Sequence, residues 1–558
     1  MKISVADLLL KYLENEGIEY IFGIPGTELT PLFNSLKSNK RIKPVLTKHE
    51  TGAAFMADGY ARIKKRPGAC FAAAGAGLPN LMAGIASSYS DSVPVVALTG
   101  QASAKSRVKG ILRESNKYGG DPVSMLNCVT KYNSMIINKY KAETEIREAF
   151  RTAVTGRKGP VHLSLPSDIL DEEIECASEG PLKNICSNKY FDRQLVIDAA
   201  KKLVNAKSPA ILIGEGAVIS DASFEIIELA ETLGIPVATT AKAKGAFPEK
   251  HPLSLGILGL GGSPIAAEYL KSGNIDVLLV IGASLNEIIN SPWDALISPS
   301  DCLIHINIDP SELGKNYKAE IPLVGDANTV VNEIGFRVLR YMDNFEPVKK
   351  KRIRHIQQMR SNAGDFFEPE KILSDSVPVK PQRIIKEIEE SIPENSILFA
   401  DSGSYLAYAL HYLKWNTPGT FIASGLGSTG YGVCAAIGGK LAAPDKPVIS
   451  IADGSGFLTS GMEISTAVNY NIPVIWIIQN NSKNGFANEY RKFNLNDQPS
   501  LNTFCKETDF CKIAQGLGAK GYAISKPGEL TKVLTEAVTS NKPVVIDCVV
   551  DTEETFFK

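Results

Sequence analysis

The chain has 558 residues, 44% of them apolar, and its 60 Lys+Arg nearly balance its 61 Asp+Glu. That length exceeds one hydrophobic core and suggests about three domains, while the near-zero net charge gives no electrostatic footprint for a nucleic-acid partner. No apolar run reaches the roughly 20 residues of a membrane helix, and nine scattered cysteines without a C-x-x-C pair read as free thiols of a cytoplasmic protein, neither disulfides nor a metal site.

The opening "MKISVADLLLKYLENEGIEYIF" carries Asp7, Glu14 and Glu16 and lacks a small-residue cleavage site. It reads as an amphipathic helix with Val5, Leu8, Leu9 and Tyr12 on one face, and not as a signal peptide. Strand-like runs then follow at 93–100, 209–214, 275–282, 302–308, 446–453 and 472–479. They are short, nearly continuous and rich in Val and Ile, as parallel strands buried on both faces require. The fold class is therefore α/β, with parallel sheets.

Two stretches, about 171–194 and about 342–380, lose the apolar period and read as linkers. They divide the chain into units at 1–175, 190–342 and 375–558. The basic run "VKKKRIRHIQQMR" (348–360) is expected to be a solvated helix or linker face. The outer units resemble each other. In both, a Thr-Gly opens a small-residue helix, then come an Ala/Gly-ended strand, a glycine loop, a second helix and "x-x-P-V". The interval from Gly77 to Pro94 equals that from Gly456 to Pro473. Such an ordered series predicts two similar outer domains around a different, Rossmann-like central domain.

In "VISIADGSGFLTSG" (448–461) a strand runs into Asp453, followed by Gly454, Ser455 and Gly456. Ser460 and Glu463 have the S-x-x-E spacing of a capping box, and the next strand ends in Asn480-Asn481. A right-handed βαβ connection puts both strand ends on one sheet edge, where open α/β sheets bind ligands. A carboxylate, an amide oxygen and free loop N–H groups suit Mg²⁺ sharing its shell with a phosphate. A tight turn with a capping aspartate is the alternative. In "LTKHETGAAFMADGYAR" (46–62), Glu50 stands at a strand-to-helix junction. By itself it reads equally as an acid stabilised by the helix dipole.

"ADG" followed after 25 residues by "NN" resembles the metal and diphosphate motif of thiamine-diphosphate enzymes. The segment around Glu50 is similar to the one that carries their glutamate. The resemblance covers nearly the whole chain and points to the acetolactate synthase branch, through "YIFGIPGTELTPLFNSL", "SVPVVALTGQ", "DSGSY", "ASGLGSTGYGVCAAIGGKLA" and "INIDPSELGK". It implies that the side chains of Asp453 and Asn481 and the carbonyl of Lys483 bind Mg²⁺. It implies that Gly403, Ser404, Tyr405, Gly454, Ser455 and Gly485 meet the cofactor, that Gly427 and Thr429 support its aminopyrimidine, and that Glu50 bonds the aminopyrimidine ring nitrogen. Gly26, Gln101, Tyr118 and Tyr490 fall on the substrate side.

The implied reaction is decarboxylation of a small 2-oxo acid with carboligation to a second carbonyl, in a homodimer or homotetramer whose sites lie between subunits. Simple aldehyde release is the alternative, and a nicotinamide-dependent oxidoreductase a more distant one. Some members bind FAD without redox use; it is possible here, but the cluster Gly259, Gly261 and Gly262 does not indicate it. Departures from the family pattern gather on the substrate side: Thr429 for a methionine, Ala76 for a proline, "KYG" (117–119) for F-Q-E, and Tyr490 for a tryptophan. Near the cofactor, Ala452 replaces a glycine, and the loop from Asp453 to Glu463 is one residue longer than in the family pattern. Arg107, Lys109 and Lys117 read either as anion ligands or as an exposed charged loop.

Overall fold

The computed structural model describes residues 2–106, 109, 120–175, 190–270, 273–286, 297–342, 345–482 and 508–556. Three six-stranded parallel sheets form its frame. The first contains, in chain order, Tyr20–Gly23, Lys43–Leu46, Gly68–Ala72, Val95–Gln101, Tyr132–Met135 and Val161–Pro166. The last contains Ile397–Ala400, Phe421–Ala423, Val448–Asp453, Ile475–Asn480, Lys520–Ile524 and Val544–Val549. Numbered within each sheet, both have the spatial order 2-1-3-4-6-5. The central sheet, built from Ala210–Ile213, Val237–Thr239, Ser254–Ile257, Val277–Ile281, Cys302–Asn307 and Ile321–Val324, has the order 3-2-1-4-5-6 of doubly wound dinucleotide folds. The internal similarity read in the sequence is thus a shared topology, and the middle unit is of another kind.

Each of the six expected apolar runs is a strand. Val95–Leu98 and Val277–Ile281 are buried at every position, because helices cover both faces of their sheets. The first helix, Val5–Asn15, buries Val5, Leu8, Leu9 and Tyr12 as expected, and its N-cap Ser4 accepts the Asp7 N–H at 3.0 Å.

The stretch expected to be a linker at 342–380 instead contains an 18-residue helix, Glu346–Ala363. Ile356 enters the central core. The basic face is not wholly solvated either. Arg352 is buried and donates to the carbonyls of Leu233 (2.6 Å) and Ala206 (2.8 Å), which end two central helices. A guanidinium satisfies such terminal carbonyls and complements their dipoles.

The outer units meet through helices Glu50–Lys64 and Tyr431–Ala442. These pack so closely that a Cβ on Gly59 would lie 2.1 Å from the Ala435 carbonyl oxygen, and one on Gly438 only 1.8 Å from that of Met56. Residue 56 faces 438 while 59 faces 435, so the helices run antiparallel.

Gly438→Ala is expected to cost about 2 kcal/mol or more, because backbone must move to admit the methyl group; the midpoint of chemical denaturation measures it. Acid weakens the fold by a separate route. His162 is bonded to Thr99 Oγ1 and Asn133 Oδ1, each at 2.7 Å, and burial pushes its pKa down to about 3. His411 accepts the Phe367 N–H at 2.8 Å, and burial pushes it down to about 4. Unfolded histidine takes up a proton near pH 6.5. Both groups therefore contribute stability above that pH, which is lost as pH falls toward 4. The melting temperature should drop from pH 7 to pH 4.5, and less steeply in His411→Gln.

Candidate active site

Strands Val448–Asp453 and Ile475–Asn480 are neighbours, with Asp453 opposite Gln479. Asp453 and the Asn480-Asn481 pair accordingly emerge at one carboxyl edge. Asp453 caps the helix Gly454–Ser460 itself: its Oδ1 accepts the Gly456 N–H (2.8 Å) and the Ser455 hydroxyl (2.5 Å). The Gly456 N–H is thereby used internally. The second oxygen, Oδ2, faces Gly403, where a Cβ would come within 2.5 Å of it. Gly403 has φ +145°, which a side chain would strain.

Asp401, at the end of the adjacent strand, was not singled out by the sequence. It is buried beside Asp453, and its carboxylate accepts the N–H groups of Gly430 (2.9 Å) and Gly432 (3.1 Å) at the start of the Tyr431–Ala442 helix. Burial, then the charge of Asp453, pushes Asp401 up to about 7; burial also raises Asp453. Among the described residues, no Lys, Arg or His pairs with either acid. Two buried carboxyls without a cation are costly and form a ready site for one. No three His, Cys, Asp or Glu side chains converge among the described residues, so a cation here would add amide or backbone oxygens to Asp453.

Ser404 opens the nine-residue helix Ser404–Tyr412, and its buried hydroxyl has no hydrogen-bond partner. An orphan hydroxyl at a helix start suits an anion. The Tyr405 ring turns away into the core of the C-terminal unit, which leaves its backbone N–H at the helix start. Gly427 and Thr429 are exposed on the connection that leads to Gly430. Lys483, Gly485, Tyr118 and Tyr490, with Arg107 and Lys117, lie outside the described residues; Lys109 is exposed.

The expected capping box is not formed. Ser460 makes no side-chain cap bond. Glu463 instead crosses to the N-terminal unit, where its Oε1 accepts the N–H groups of Lys48 and His49, both at 2.9 Å, while Oε2 accepts the Thr466 hydroxyl at 2.7 Å. The physical reason is competition: Asp453 already caps the preceding helix, and the uncovered N–H groups ahead of Glu50 lie within reach.

Glu50 is the first residue of its helix and is buried, and the Asn80 amide donates to its Oε2 at 3.0 Å. Gly26 and Gln101 lie on the carboxyl edge of the same sheet. Gln101 is buried and accepts the Ala102 N–H. A Cβ on Gly26 would lie 2.5 Å from Glu28 Oε2, a buried carboxylate oxygen without a hydrogen-bond partner. Glu28, one acid in "GIPGTEL", is a candidate site residue that the sequence did not single out.

The structure therefore assembles two groups, not one. Asp453, Asp401, Gly403, Ser404, Gly454 and Ser455 share one edge; Glu50, Gly26, Glu28 and Gln101 share another. The antiparallel helix pair holds the groups apart. Glu50 lies level with the end of the Tyr431–Ala442 helix, and the Asp401-bound start of that 12-residue helix is about 18 Å away at 1.5 Å per residue. A cavity of about 530 Å³ lies on the carboxyl edge of the central sheet, lined there by Gly214 and Gly282, and reaches Gly403 and Gly427.

Three family models match in order: the thiamine pyrophosphate enzyme N-terminal TPP binding domain at 3–119, the central domain at 196–334 and the C-terminal TPP binding domain at 401–548. The chain belongs to the thiamine pyrophosphate enzymes. It is 36% identical to the probable acetolactate synthase large subunit of Methanocaldococcus jannaschii, over 98% of this chain and 92% of that protein. It is 34% identical to the protein of the same description from Methanococcus aeolicus, with the same coverage. With the acetolactate synthase of Mycobacterium bovis it shares 30% identity over 98% of this chain and 88% of that one. The α/β class and the resemblance to the acetolactate synthase branch are borne out, and the protein is a thiamine-diphosphate-dependent enzyme. Among the described residues, no helix is long and apolar enough to cross a membrane.

Glu463→Ala should leave two backbone N–H groups unpaired between the outer units and cost about 3 kcal/mol, with Glu463→Gln costing less because Oε1 survives as an acceptor. Urea denaturation of the two variants measures the difference.

Proposed function

We propose that the protein decarboxylates a small 2-oxo acid and joins the remaining fragment to a second carbonyl, using thiamine diphosphate and Mg²⁺, as a cytoplasmic homodimer or homotetramer with sites between subunits. The observation that carries this reading is the pair of half-sites: uncompensated Asp401 and Asp453 beside an orphan helix-start hydroxyl, and a buried Glu50 about 18 Å away along the same helix pair. One chain cannot bring both halves to one cofactor. A second copy, related by a twofold axis, supplies the missing half to each.

The donor set suits the cofactor. Asp453 Oδ2 and Asn481, with the Lys483 carbonyl, are hard oxygen ligands for Mg²⁺. Gly403, Ser404, Gly454 and Ser455 offer backbone N–H groups and one free hydroxyl to a diphosphate. Gly427 and Thr429 back the aminopyrimidine. Once bound, the cofactor supplies the carbon nucleophile and the electron sink for loss of CO₂. The protein's part is positional and acid–base. Glu50 holds a proton against the aminopyrimidine ring nitrogen, and Asn80, bonded to its Oε2, fixes the carboxyl plane. Gly26 and Gln101 line the substrate side. The names of the relatives support acetolactate as the product.

The test measures CO₂ release and product identity with a panel of 2-oxo acids, thiamine diphosphate and Mg²⁺. An α-hydroxy ketone product is expected; an aldehyde alone would replace ligation with simple decarboxylation. Asp453→Ala should lose cofactor affinity, and Glu50→Gln should bind the cofactor and turn over slowly. Full activity in both variants sinks the reading. Co-refolding the two impaired variants should restore about a quarter of the wild-type sites, because mixed dimers carry one intact site; no recovery would refute sites shared between chains.

A further inference from the structure

The segment from Gly425 to Gly430 contains the two residues expected against the aminopyrimidine, Gly427 and Thr429. Leu426, Gly427 and Thr429 in it are exposed. Its ends are not. At the far end, the Gly430 N–H is held by Asp401. At the near end, the Gly425 N–H points at Asp91 of the N-terminal unit, 3.1 Å from Oδ1 and 3.0 Å from Oδ2. A Cβ on Gly425 would stand 2.5 Å from Asp91 Oδ1, so no other residue could seat its N–H there without displacing the carboxylate. The neighbouring hydroxyls of Ser424 and Ser87 are bonded at 2.8 Å. The segment is therefore a strap pinned at both ends by buried carboxylates.

Asp91 is 1% exposed and keeps its charge because two cations face it. Arg62 Nη2 lies 2.7 Å from Oδ2 and Lys242 Nζ lies 3.1 Å from Oδ1. Burial opposes the charge, but these cations and the Gly425 N–H outweigh it and hold the carboxyl below its ordinary value. Arg62 is engaged in turn by Asp58 and Glu215, each at 2.7 Å, and Lys242 also pairs with Glu215. Lys242 and Glu215 belong to the central unit, on the carboxyl edge of its sheet, and line the cavity there. Three units thus meet at one carboxylate, and that carboxylate holds the strap.

We propose that Asp91 is a positioning residue for the cofactor-contacting strap, and that Lys242 of the central unit determines how firmly Asp91 holds it. The inference rests on the reading that Gly427 and Thr429 face the aminopyrimidine. A charged acceptor bonds an N–H more strongly than a neutral one, and Lys242 keeps Asp91 both charged and oriented toward Gly425. The central unit thereby contributes to cofactor affinity through Lys242.

The test uses full-length Lys242→Gln, with three readouts: hydrogen–deuterium exchange at the Gly425 amide, the dissociation constant of thiamine diphosphate in Mg²⁺, and the melting temperature. Exchange at Gly425 should quicken and the dissociation constant rise about tenfold, and Lys242→Arg should restore both. Glu215→Gln is the control. It removes ion pairs to Arg62 and Lys242 but leaves both cations on Asp91. It should lower the melting temperature while leaving Gly425 exchange and cofactor affinity within about twofold of wild type. Unchanged exchange in Lys242→Gln, or equal effects of the Lys242 and Glu215 substitutions on affinity, would reduce the network to a structural one and overturn the proposal. Should wild-type protein bind no thiamine diphosphate, the functional reading fails, and the Gly425 exchange still decides whether Lys242 acts on the strap.

Discussion

Gly59 against the carbonyl of Ala435, and Gly438 against that of Met56, bring two helix backbones into direct contact. Almost everything functional is arranged relative to that contact. It fixes the outer units face to face, sets their helices antiparallel, and sends Glu50 to one end of the pair and Asp401 to the other. A larger residue at either glycine would separate the units before it disturbed either sheet. The partition into half-sites is thus a packing result before it is a chemical one.

Around this contact, buried acids do the joining. Asp401 holds the start of one helix, Asp453 caps the next, Glu463 reaches the N–H groups ahead of a third, and Asp91 grips the strap. Carboxylates suit this work because each oxygen accepts more than one N–H, and the bonds are charge-assisted. Arg62 and Lys242 neutralise Asp91. Asp401 and Asp453 have no such neighbour among the described residues, which marks out that pair as the place for a cation.

The strands were legible because burial on both faces leaves only short runs of Val and Ile, and those runs survive inspection one residue at a time. The likeness of the outer units was legible because their glycines and prolines recur at fixed intervals. Asp453 and Asn481 could be paired because a βαβ connection has one hand. What escaped were contacts without a local pattern. Ser460 and Glu463 have capping-box spacing, yet Glu463 serves backbone more than four hundred positions earlier. The Glu346–Ala363 helix looks like a charged linker until Arg352 finds carbonyls 119 and 146 residues away. Asp401 and Glu28 are single acids in short turns, and only the partners beside them, or lacking from them, give them meaning.

The shared 2-1-3-4-6-5 order of the outer sheets gives the helix contact a further consequence. Two like units that meet through the same helix, run antiparallel, make the self-complementary contact of a twofold dimer. The chain carries its own pseudo-dimer, joined through a central unit. In a true dimer the two outer edges would be chemically equal. Here the symmetry is broken by a few side chains, with Glu50 at one edge and Asp453 at the other. One fold, used twice, has become two different halves of a single chemistry.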